Sequence, residues 1–326
     1  MPATDVIQTT SQRRRVIDVS LLVLVNLMWA AQYPAYRALS VQMGPVTTSA
    51  WVFLIASLAL LPFLIWERRR ADSKMQNRRS LALQDIVGFA MIGVLGLMPS
   101  SAFLAAGTER STASNAAVIF LTVPILIAVL ASLLLKERMT SRLWLSLVIS
   151  LVGVFVLAQK DLSTQSVTNL RFLYGNFLVL LSCACSAFYN VYSKSLLARF
   201  SPLEVLVYGY LIALVISPPL LAWSGEPVRW TTIQGYSGGT WVWLLILSFL
   251  SWGIAMVLWM FLLERMDVSQ ASVSIYLLPF LGVAVSAITL HETITRSTVV
   301  GGAITLAGTI LVTSAGTQPP EVKKND

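Results

Sequence analysis

The chain has 326 residues, of which 56% are hydrophobic and only 12% are charged, and its mean hydropathy is +0.75. A soluble domain is about one quarter charged, so this composition excludes a soluble globular protein and favours a chain that lies almost wholly in a membrane. The net charge of +8 does not indicate a nucleic-acid partner, because the basic residues lie between long apolar runs rather than in one patch.

Ten apolar runs, bounded by charged or turn residues, predict an all-α integral membrane protein with ten transmembrane helices. The runs are continuously apolar and do not alternate, which favours helices over a β-barrel. The predicted spans are 18–39, 46–66, 84–106, 112–135, 141–159, 173–194, 203–223, 240–263, 268–290 and 297–315. The glycine-rich segment 224–239 is predicted as a loop.

The basic residues predict how the chain crosses the membrane. Of the 23 Lys and Arg residues, 17 lie on the side of the N-terminus and six on the opposite side. Cytoplasmic loops carry the excess of Lys and Arg, so both ends are expected in the cytoplasm, as an even number of spans requires. We therefore expect a multi-pass protein of the cytoplasmic (inner) membrane, in contact with its lipids, with cytoplasmic tails at 1–17 and 316–326.

The chain repeats itself at a shift of 155 residues. Between residues 109–153 and 264–308 the two copies share thirteen identities, including a Glu-Arg pair that is Glu109-Arg110 in the first copy and Glu264-Arg265 in the second. The markers of the repeat are Pro124, Glu137 and Gly153 in the first copy and Pro279, Glu292 and Gly308 in the second. Each copy, 18–159 and 173–315, holds five spans, so the second must cross the membrane in the opposite sense. Inverted repeats are typical of alternating-access transporters, although an old duplication kept only for packing is an alternative.

A set of small, polar and aromatic residues marks the first span and both copies of the repeat. They are Trp29-Ala30, Tyr33 and Arg37, the run Ser114-Asn115-Ala116-Ala117 through Pro124 to Lys136-Glu137-Arg138-Met139-Thr140, and the run Ser269-Gln270-Ala271-Ser272 through Pro279 to His291-Glu292-Thr293-Ile294-Thr295. Together these residues resemble EamA-type proteins of the drug/metabolite transporter (DMT) superfamily, over nearly the whole chain. The resemblance implies two five-helix halves, a central cavity lined mainly by spans 1, 3, 4, 6, 8 and 9, and export or exchange of small metabolites.

Polar groups inside apolar spans are costly unless they face the bundle interior or water, so they are candidates for a substrate cavity. The candidates are Asn26, Trp29, Gln32, Tyr33 and Arg37 in span 1, Asn115 in span 4, Tyr189, Asn190 and Lys194 in span 6, Trp252 and Trp259 in span 8, and Gln270, Ser274 and Tyr276 in span 9. The alternatives are hydrogen bonds to neighbouring helices for the polar residues and lipid contact for Trp252 and Trp259. Arg37 and Lys194 could meet a substrate carboxylate or extend to the lipid headgroups.

Other residues are expected to be structural. Glu137 and Glu292 end spans 4 and 9, where they are predicted to bind loop amides or cap the next helix. Cys183 and Cys185 lie in one apolar run and are predicted to be small buried side chains. With one histidine and no clustered cysteines or carboxylates, we expect no metal site and no cofactor.

The sequence thus predicts a non-enzymatic secondary transporter that exports small metabolites, such as amino acids or related solutes, by alternating access. The sequence has no phosphate-binding loop of an ATP-driven motor, and its substrate, coupling ion and oligomeric state are left open. The alternatives are a membrane-embedded enzyme acting on lipid-linked substrates, which would need a cluster of catalytic side chains, and a membrane protein that does not transport.

Overall fold

A computed structural model describes residues 3–72, 82–111, 116, 119–162, 170–226, 230–278, 281 and 296–313, and the regular elements within those residues are all helical. In chain order the α-helices are α1 (Ala3–Ala30), α2 (Gln32–Leu39), α3 (Pro45–Asp72), α4 (Leu83–Met91), α5 (Met98–Arg110), α6 (Val123–Leu134), α7 (Ser141–Leu162), α8 (Leu170–Leu197), α9 (Pro202–Ser224), α10 (Trp230–Gln234), α11 (Gly238–Leu245), α12 (Ala255–Arg265), α13 (Val268–Ser272) and α14 (Arg296–Thr313). Two π-helices, Ile92–Leu97 and Ile246–Ile254, join α4 to α5 and α11 to α12, and the 3-10 helix Val273–Leu277 follows α13.

Within the described residues, six helical stretches are long and apolar enough to cross a membrane. They are Val16–Leu39, Pro45–Arg70, Leu83–Arg110, Leu170–Leu197, Pro202–Ser224 and Gly238–Arg265. Three shorter apolar helices, Val123–Leu134, Ser141–Gly153 and Val299–Leu311, coincide with predicted spans 4, 5 and 10. Much of the ninth predicted span lies outside the described residues, and the count of ten spans stays a prediction.

The first predicted span is two helices that meet at Ala31. Proline lacks the amide hydrogen that would continue the helical bonding pattern, and Pro34 stands three residues after the break. At its other end, α1 begins at Ala3, so most of the predicted N-terminal tail is helical. The loop predicted at 224–239 likewise contains a short helix, α10.

The two π-helices occupy corresponding places in the repeat. A shift of 155 residues carries Ile92–Leu97 onto residues 247–252, which lie within the second π-helix. A π-helix takes one extra residue per turn and is frequent at functional sites. The repeat therefore extends beyond the identities in the sequence to a shared irregularity in the backbone.

Helices α7 and α14 pack together through corresponding residues of the two copies. The Ser150 hydroxyl lies 3.4 Å from the Thr305 carbonyl oxygen, and Ser150 and Thr305 are themselves 155 residues apart. A Cβ atom on Gly153 would lie 2.7 Å from the Gly301 carbonyl oxygen, and one on Gly308 would lie 3.0 Å from the Ser146 carbonyl oxygen. Gly153, which comes after Ser146 in α7, meets Gly301, which comes before Gly308 in α14. The two helices therefore run antiparallel.

Helices α3 and α9 are also antiparallel and are joined at both ends. At one end the Glu226 carboxylate, just beyond α9, accepts hydrogen bonds of 3.0 and 2.8 Å from the Val46 and Thr47 amides at the start of α3. At the other end Arg68, near the end of α3, forms a 2.7 Å salt bridge with Glu204 at the start of α9. The beginning of each helix thus meets the end of its partner.

Candidate functional site

A cavity of about 550 Å³, counted with its opening, lies among the central helices. Its described lining consists of Trp29, Gln32, Leu97, Ser100, Leu104, Phe120, Ser186, Tyr189, Asn190, Trp252, Met256 and Ile275. These residues come from spans 1, 3, 4, 6, 8 and 9, the six that the family resemblance names.

Both copies of the repeat supply the lining, and the π-helices contribute at equivalent positions. Leu97 ends the first π-helix, Trp252 lies in the second, and the two residues are 155 positions apart. Phe120 and Ile275 form a second equivalent pair in the lining. The cavity therefore lies where the two copies meet.

Two tryptophans form one side of the site. The rings of Trp29 and Trp259 lie with their centroids 5.0 Å apart at an angle of 58°. The Trp29 indole N–H donates to the carbonyl oxygen of Ser251, in the second π-helix, at 3.3 Å, and the Ser251 hydroxyl donates to the Met28 carbonyl oxygen at 3.1 Å. Trp29 lines the cavity, whereas Trp259 is fully buried and packs against the Trp29 ring.

Asn190 presents an amide to the cavity in a fixed orientation. Its Oδ1 accepts a 2.6 Å hydrogen bond from the Trp259 indole N–H, and its Nδ2 donates to the Ser186 carbonyl oxygen at 2.7 Å. An amide whose oxygen and nitrogen both have partners is held against rotation. The sequence prediction named both Asn190 and Trp259, but it did not predict that they bond to each other.

Trp252 is held by a hydrogen-bonded chain that includes a residue missed in the sequence. Its indole N–H donates to the Tyr36 hydroxyl at 3.1 Å, and Tyr36 shares a 2.9 Å hydrogen bond with the Ser101 hydroxyl. The Tyr210 hydroxyl donates to the Trp252 carbonyl oxygen at 2.6 Å. Tyr36 follows Trp29 by seven residues, a spacing that keeps both on one helix face, and that signal could have identified it.

Several predicted cavity residues lie outside the described lining. The Asn26 amide donates to the Ser274 hydroxyl at 2.9 Å, which joins α1 to the 3-10 helix. Tyr33 is buried, and its ring meets that of Phe120 edge-on at 6.2 Å. Tyr276 belongs to a separate buried cluster with residues of α6 and α7, and Gln270 is half-buried in α13. Their contact with substrate stays a prediction.

The basic residues Arg37 and Lys194 also lie outside the described lining. The Arg37 guanidinium donates to the carbonyl oxygens of Thr108 and Glu109, at 3.4 and 3.1 Å. The Lys194 ammonium donates to the Leu263 carbonyl oxygen and, at 2.9 Å, to that of Met266. Both therefore bind carbonyl groups at the end of a neighbouring helix.

Glu137 binds the start of α13, which belongs to the other copy of the repeat. Its carboxylate accepts hydrogen bonds from the Val268 and Ser269 amides, at 3.0 and 3.2 Å, and from the Ser269 hydroxyl. Burial raises the pKa of this carboxyl, and the Ser269 hydrogen bond opposes the shift. The sequence leaves two roles open for Glu137, binding of loop amides or capping of the next helix. The structure has it on the amides that begin α13, whereas Thr140 accepts from the Leu143 amide at 3.2 Å at the start of α7.

Three of the cavity candidates and repeat markers lie outside the described part of the chain: Asn115, Pro279 and Glu292. The other repeat markers, Pro124 and Glu137 with Gly153 and Gly308, are described. Among the described residues, no group of three or more His, Cys, Asp or Glu side chains could hold a metal ion.

Comparison with known proteins gives matches over most of the chain. A family model described as the EamA-like transporter family matches twice, at residues 17–159 and 173–314. A protein of Streptantibioticus cattleyicolor named "Probable terminal-alkyne amino-acid exporter" is 28% identical over 298 residues, which cover 89% of this chain and 91% of that protein. An "Uncharacterized transporter" of Archaeoglobus fulgidus is 23% identical over 292 residues, or 90% of this chain and 97% of that one.

A solved structure has the same fold. It is titled "Crystal structure of protein" and superposes with a TM-score of 0.69 at 16% identity, covering 90% of this chain and 98% of its own.

Proposed function

Because the chain belongs to the EamA-like transporter family, we propose that it is a secondary transporter that exports small polar or amphipathic metabolites across the cytoplasmic membrane by alternating access. Amino acids and related solutes are the proposed substrates. The name of the Streptantibioticus cattleyicolor relative, an amino-acid exporter at 28% identity, supports this class.

The family and its membrane location are the confirmed part of the sequence prediction. The match covers both copies of the repeat, the protein has several helices able to cross a membrane, and its relatives are named as transporters. The substrate, the direction of flux and the mechanism belong to the proposal.

The observation that carries the proposal is the cavity between the two copies. Equivalent residues, such as Leu97 and Trp252, line it from both copies, so exchanging the conformations of the copies would expose the same site to the two sides of the membrane in turn. Its mixture of indole rings, hydroxyls and two side-chain amides suits a small solute that has both apolar and polar parts.

We further propose that residues 18–159 and 173–315 are inverted five-helix repeats with both chain ends in the cytoplasm. The antiparallel packing of α7 with α14 and of α3 with α9 supports the inversion. The excess of Lys and Arg on one side supports the orientation.

Cysteine labelling tests this topology. In a background with Cys183 and Cys185 changed to alanine, a membrane-impermeant maleimide should label Val41→Cys in intact cells. It should label Arg70→Cys and Arg199→Cys only after permeabilisation. Labelling that places residues 70 and 199 on different faces of the membrane would contradict the inverted arrangement.

Flux through proteoliposomes tests transport itself. Purified protein should accumulate labelled neutral amino acids by exchange against the same solute on the inside. Ser186→Trp, which fills the cavity lining, should abolish exchange, whereas Val148→Trp, on the exposed face of α7, should retain it. Equal loss in both variants, or no exchange of any solute in a broad panel by the wild type, would refute the proposal.

A further inference from the structure

The described lining of the cavity contains no Asp, Glu, His, Lys or Arg. From this lack of charged side chains, and from the contacts of the aromatic rings and of the Asn190 amide, we propose that the cavity selects solutes without net charge that carry a flat apolar group beside a hydrogen-bond acceptor. We also propose that Trp259 is the positioning residue that holds the Asn190 amide in the orientation in which its N–H can donate to that acceptor. This inference rests on the proposed transport function and names its substrate class.

Net charge is disfavoured because the site offers it no partner. A charge moved from water to a low-dielectric site is costly unless it is paired. Lys194 lies one helical turn beyond Asn190, but its ammonium is bound to the carbonyl oxygens of Leu263 and Met266. A neutral amide therefore meets a smaller desolvation penalty than an ion of similar size, and in a zwitterion the two opposite charges partly compensate each other.

The aromatic part of the lining favours a flat group. Trp29 and Trp252 present indole rings that are already oriented, because the Trp29 N–H is bonded to the Ser251 carbonyl oxygen and the Trp252 N–H to the Tyr36 hydroxyl. Phe120 and Tyr189 add two further rings to the lining. Oriented rings stack on a planar ligand at little entropic cost, since they do not need to be ordered by binding.

The Asn190 amide favours an acceptor. Its oxygen is occupied by the Trp259 indole N–H, and one of its N–H groups by the Ser186 carbonyl oxygen. The other N–H has only a 3.5 Å contact with the Ser186 hydroxyl. A carbonyl or carboxylate oxygen of a solute can accept from it. Without Trp259 the amide would lose its fixed orientation and could offer its oxygen instead.

A series of compounds with one ring and different charges tests the charge preference. L-phenylalanine (zwitterion), N-acetyl-phenylalanine amide (neutral), phenylalanine amide (cation) and N-acetyl-phenylalanine (anion) would be titrated into the purified protein by isothermal titration calorimetry at about pH 5.5, where the amino group of phenylalanine amide is protonated. We expect the first two to bind at least tenfold more tightly than the last two. Equal affinities across the series, or no binding by any member, would overturn the inference.

Two variants test the role of the amide. Asn190→Asp places a carboxylate in the same position and should shift the preference at least tenfold towards the cation, a gain that unfolding cannot produce. Trp259→Phe keeps a ring against Trp29 but removes the N–H donor. It should weaken binding of the two neutral compounds about five- to tenfold at a temperature at which the variant is still folded, although the loss of a buried hydrogen bond also lowers its melting temperature.

The control is Trp241→Phe, which removes an indole N–H outside the described lining, where Trp241 packs edge-on against Trp51 at 5.6 Å. It should bind as the wild type does. The positioning role is refuted if Trp259→Phe binds like this control, or if folded Asn190→Asp shows no gain for the cation. Binding decides this inference, whereas flux in proteoliposomes decides the proposed function, so the two can fail separately.

Discussion

Arg37 and Lys194, which are 157 residues apart, serve the same purpose in the two copies of the repeat. Each donates to carbonyl oxygens near the end of a neighbouring helix, and two of those carbonyls, on Thr108 and Leu263, are 155 residues apart. The last carbonyl groups of a helix lack partners within it and carry a partial negative charge. A basic side chain placed there stabilises the helix end and ties two spans together.

Replacing Arg37 with alanine should therefore reduce stability more than substrate affinity. Loss of two hydrogen bonds to a partly exposed charged group should cost about 1–2 kcal/mol and lower the melting temperature in detergent, with the transport KM changed less than twofold. Arg142→Ala, at an exposed position of α7, is the control and should melt like the wild type. A tenfold rise in KM at an unchanged melting temperature would instead place Arg37 at the substrate.

The residue types in the site were predictable from the sequence, but their roles were not. Hydropathy identifies Arg37 and Asn190 as exceptional in apolar spans, because a polar group there needs a partner. It does not identify the partner, since the carbonyls bound by Arg37 are 71 and 72 residues away. The Trp259 indole N–H likewise reaches Asn190 only because α8 and α12 pack together in the folded chain, and the sequence does not show that packing.

Glu137 links α6 to α13 at the level of helical elements, and this contact should depend on pH. Because burial raises the pKa of Glu137, the folded state disfavours its ionised form. Its contribution to stability is therefore fully present below its ordinary pKa of 4.5 and is lost as the pH rises through the raised value.

We expect the melting temperature of the wild type minus that of Glu137→Gln to fall as the pH rises from about 4.5 towards neutrality. Other carboxyl groups titrate in both proteins, so their effect cancels in this difference. A difference that is constant over the range, or that rises with pH, would contradict the expectation.

The contact between α7 and α14 depends on glycine. A Cβ atom on Gly153 would lie 2.7 Å from both the Gly301 carbonyl oxygen and the Thr305 amide nitrogen, which are backbone atoms that cannot rotate away. Gly153→Ala should therefore force the helices apart and cost about 1–3 kcal/mol, seen as a lower melting temperature. Gly238→Ala is the matched control, because nothing lies within 4 Å of the added atom; equal stability of the two variants would contradict the close packing.

Helical elements differ in how strongly the sequence encodes them. The long apolar runs and the break near Pro34 follow from hydropathy and from the chemistry of proline. The π-helices do not, because a change of hydrogen-bond register leaves the apolar pattern of 84–106 and 240–263 intact. Their equivalence becomes visible only when the repeat found in the sequence is applied to the backbone.

At the scale of the whole molecule, the proposed alternating access requires some contacts between the copies to persist and others to open. Ser150 and Thr305 lie at a contact between equivalent residues, so they should stay together when the copies exchange conformations. Glu137 and Ser269 join the copies at one end of the bundle, so they should separate.

Cross-linking distinguishes these two kinds of contact. With Cys183 and Cys185 replaced by alanine, a short reducible cross-link between Ser150→Cys and Thr305→Cys should preserve exchange in proteoliposomes. The same link between Glu137→Cys and Ser269→Cys should stop exchange until it is reduced. Loss of exchange with the first link, or full exchange with the second, would contradict a motion about the α7–α14 contact.

The meeting of Ser150 with Thr305 also bears on how such a molecule can arise. In an ancestor made of two separate, identical subunits, this position would touch its own counterpart, and every mutation there would appear on both sides at once. Gene fusion removes that constraint, because each side can then change alone. Serine facing threonine, with glycine kept at 153 and 308, is the pattern expected once the two sides have begun to diverge while their closest approach is retained.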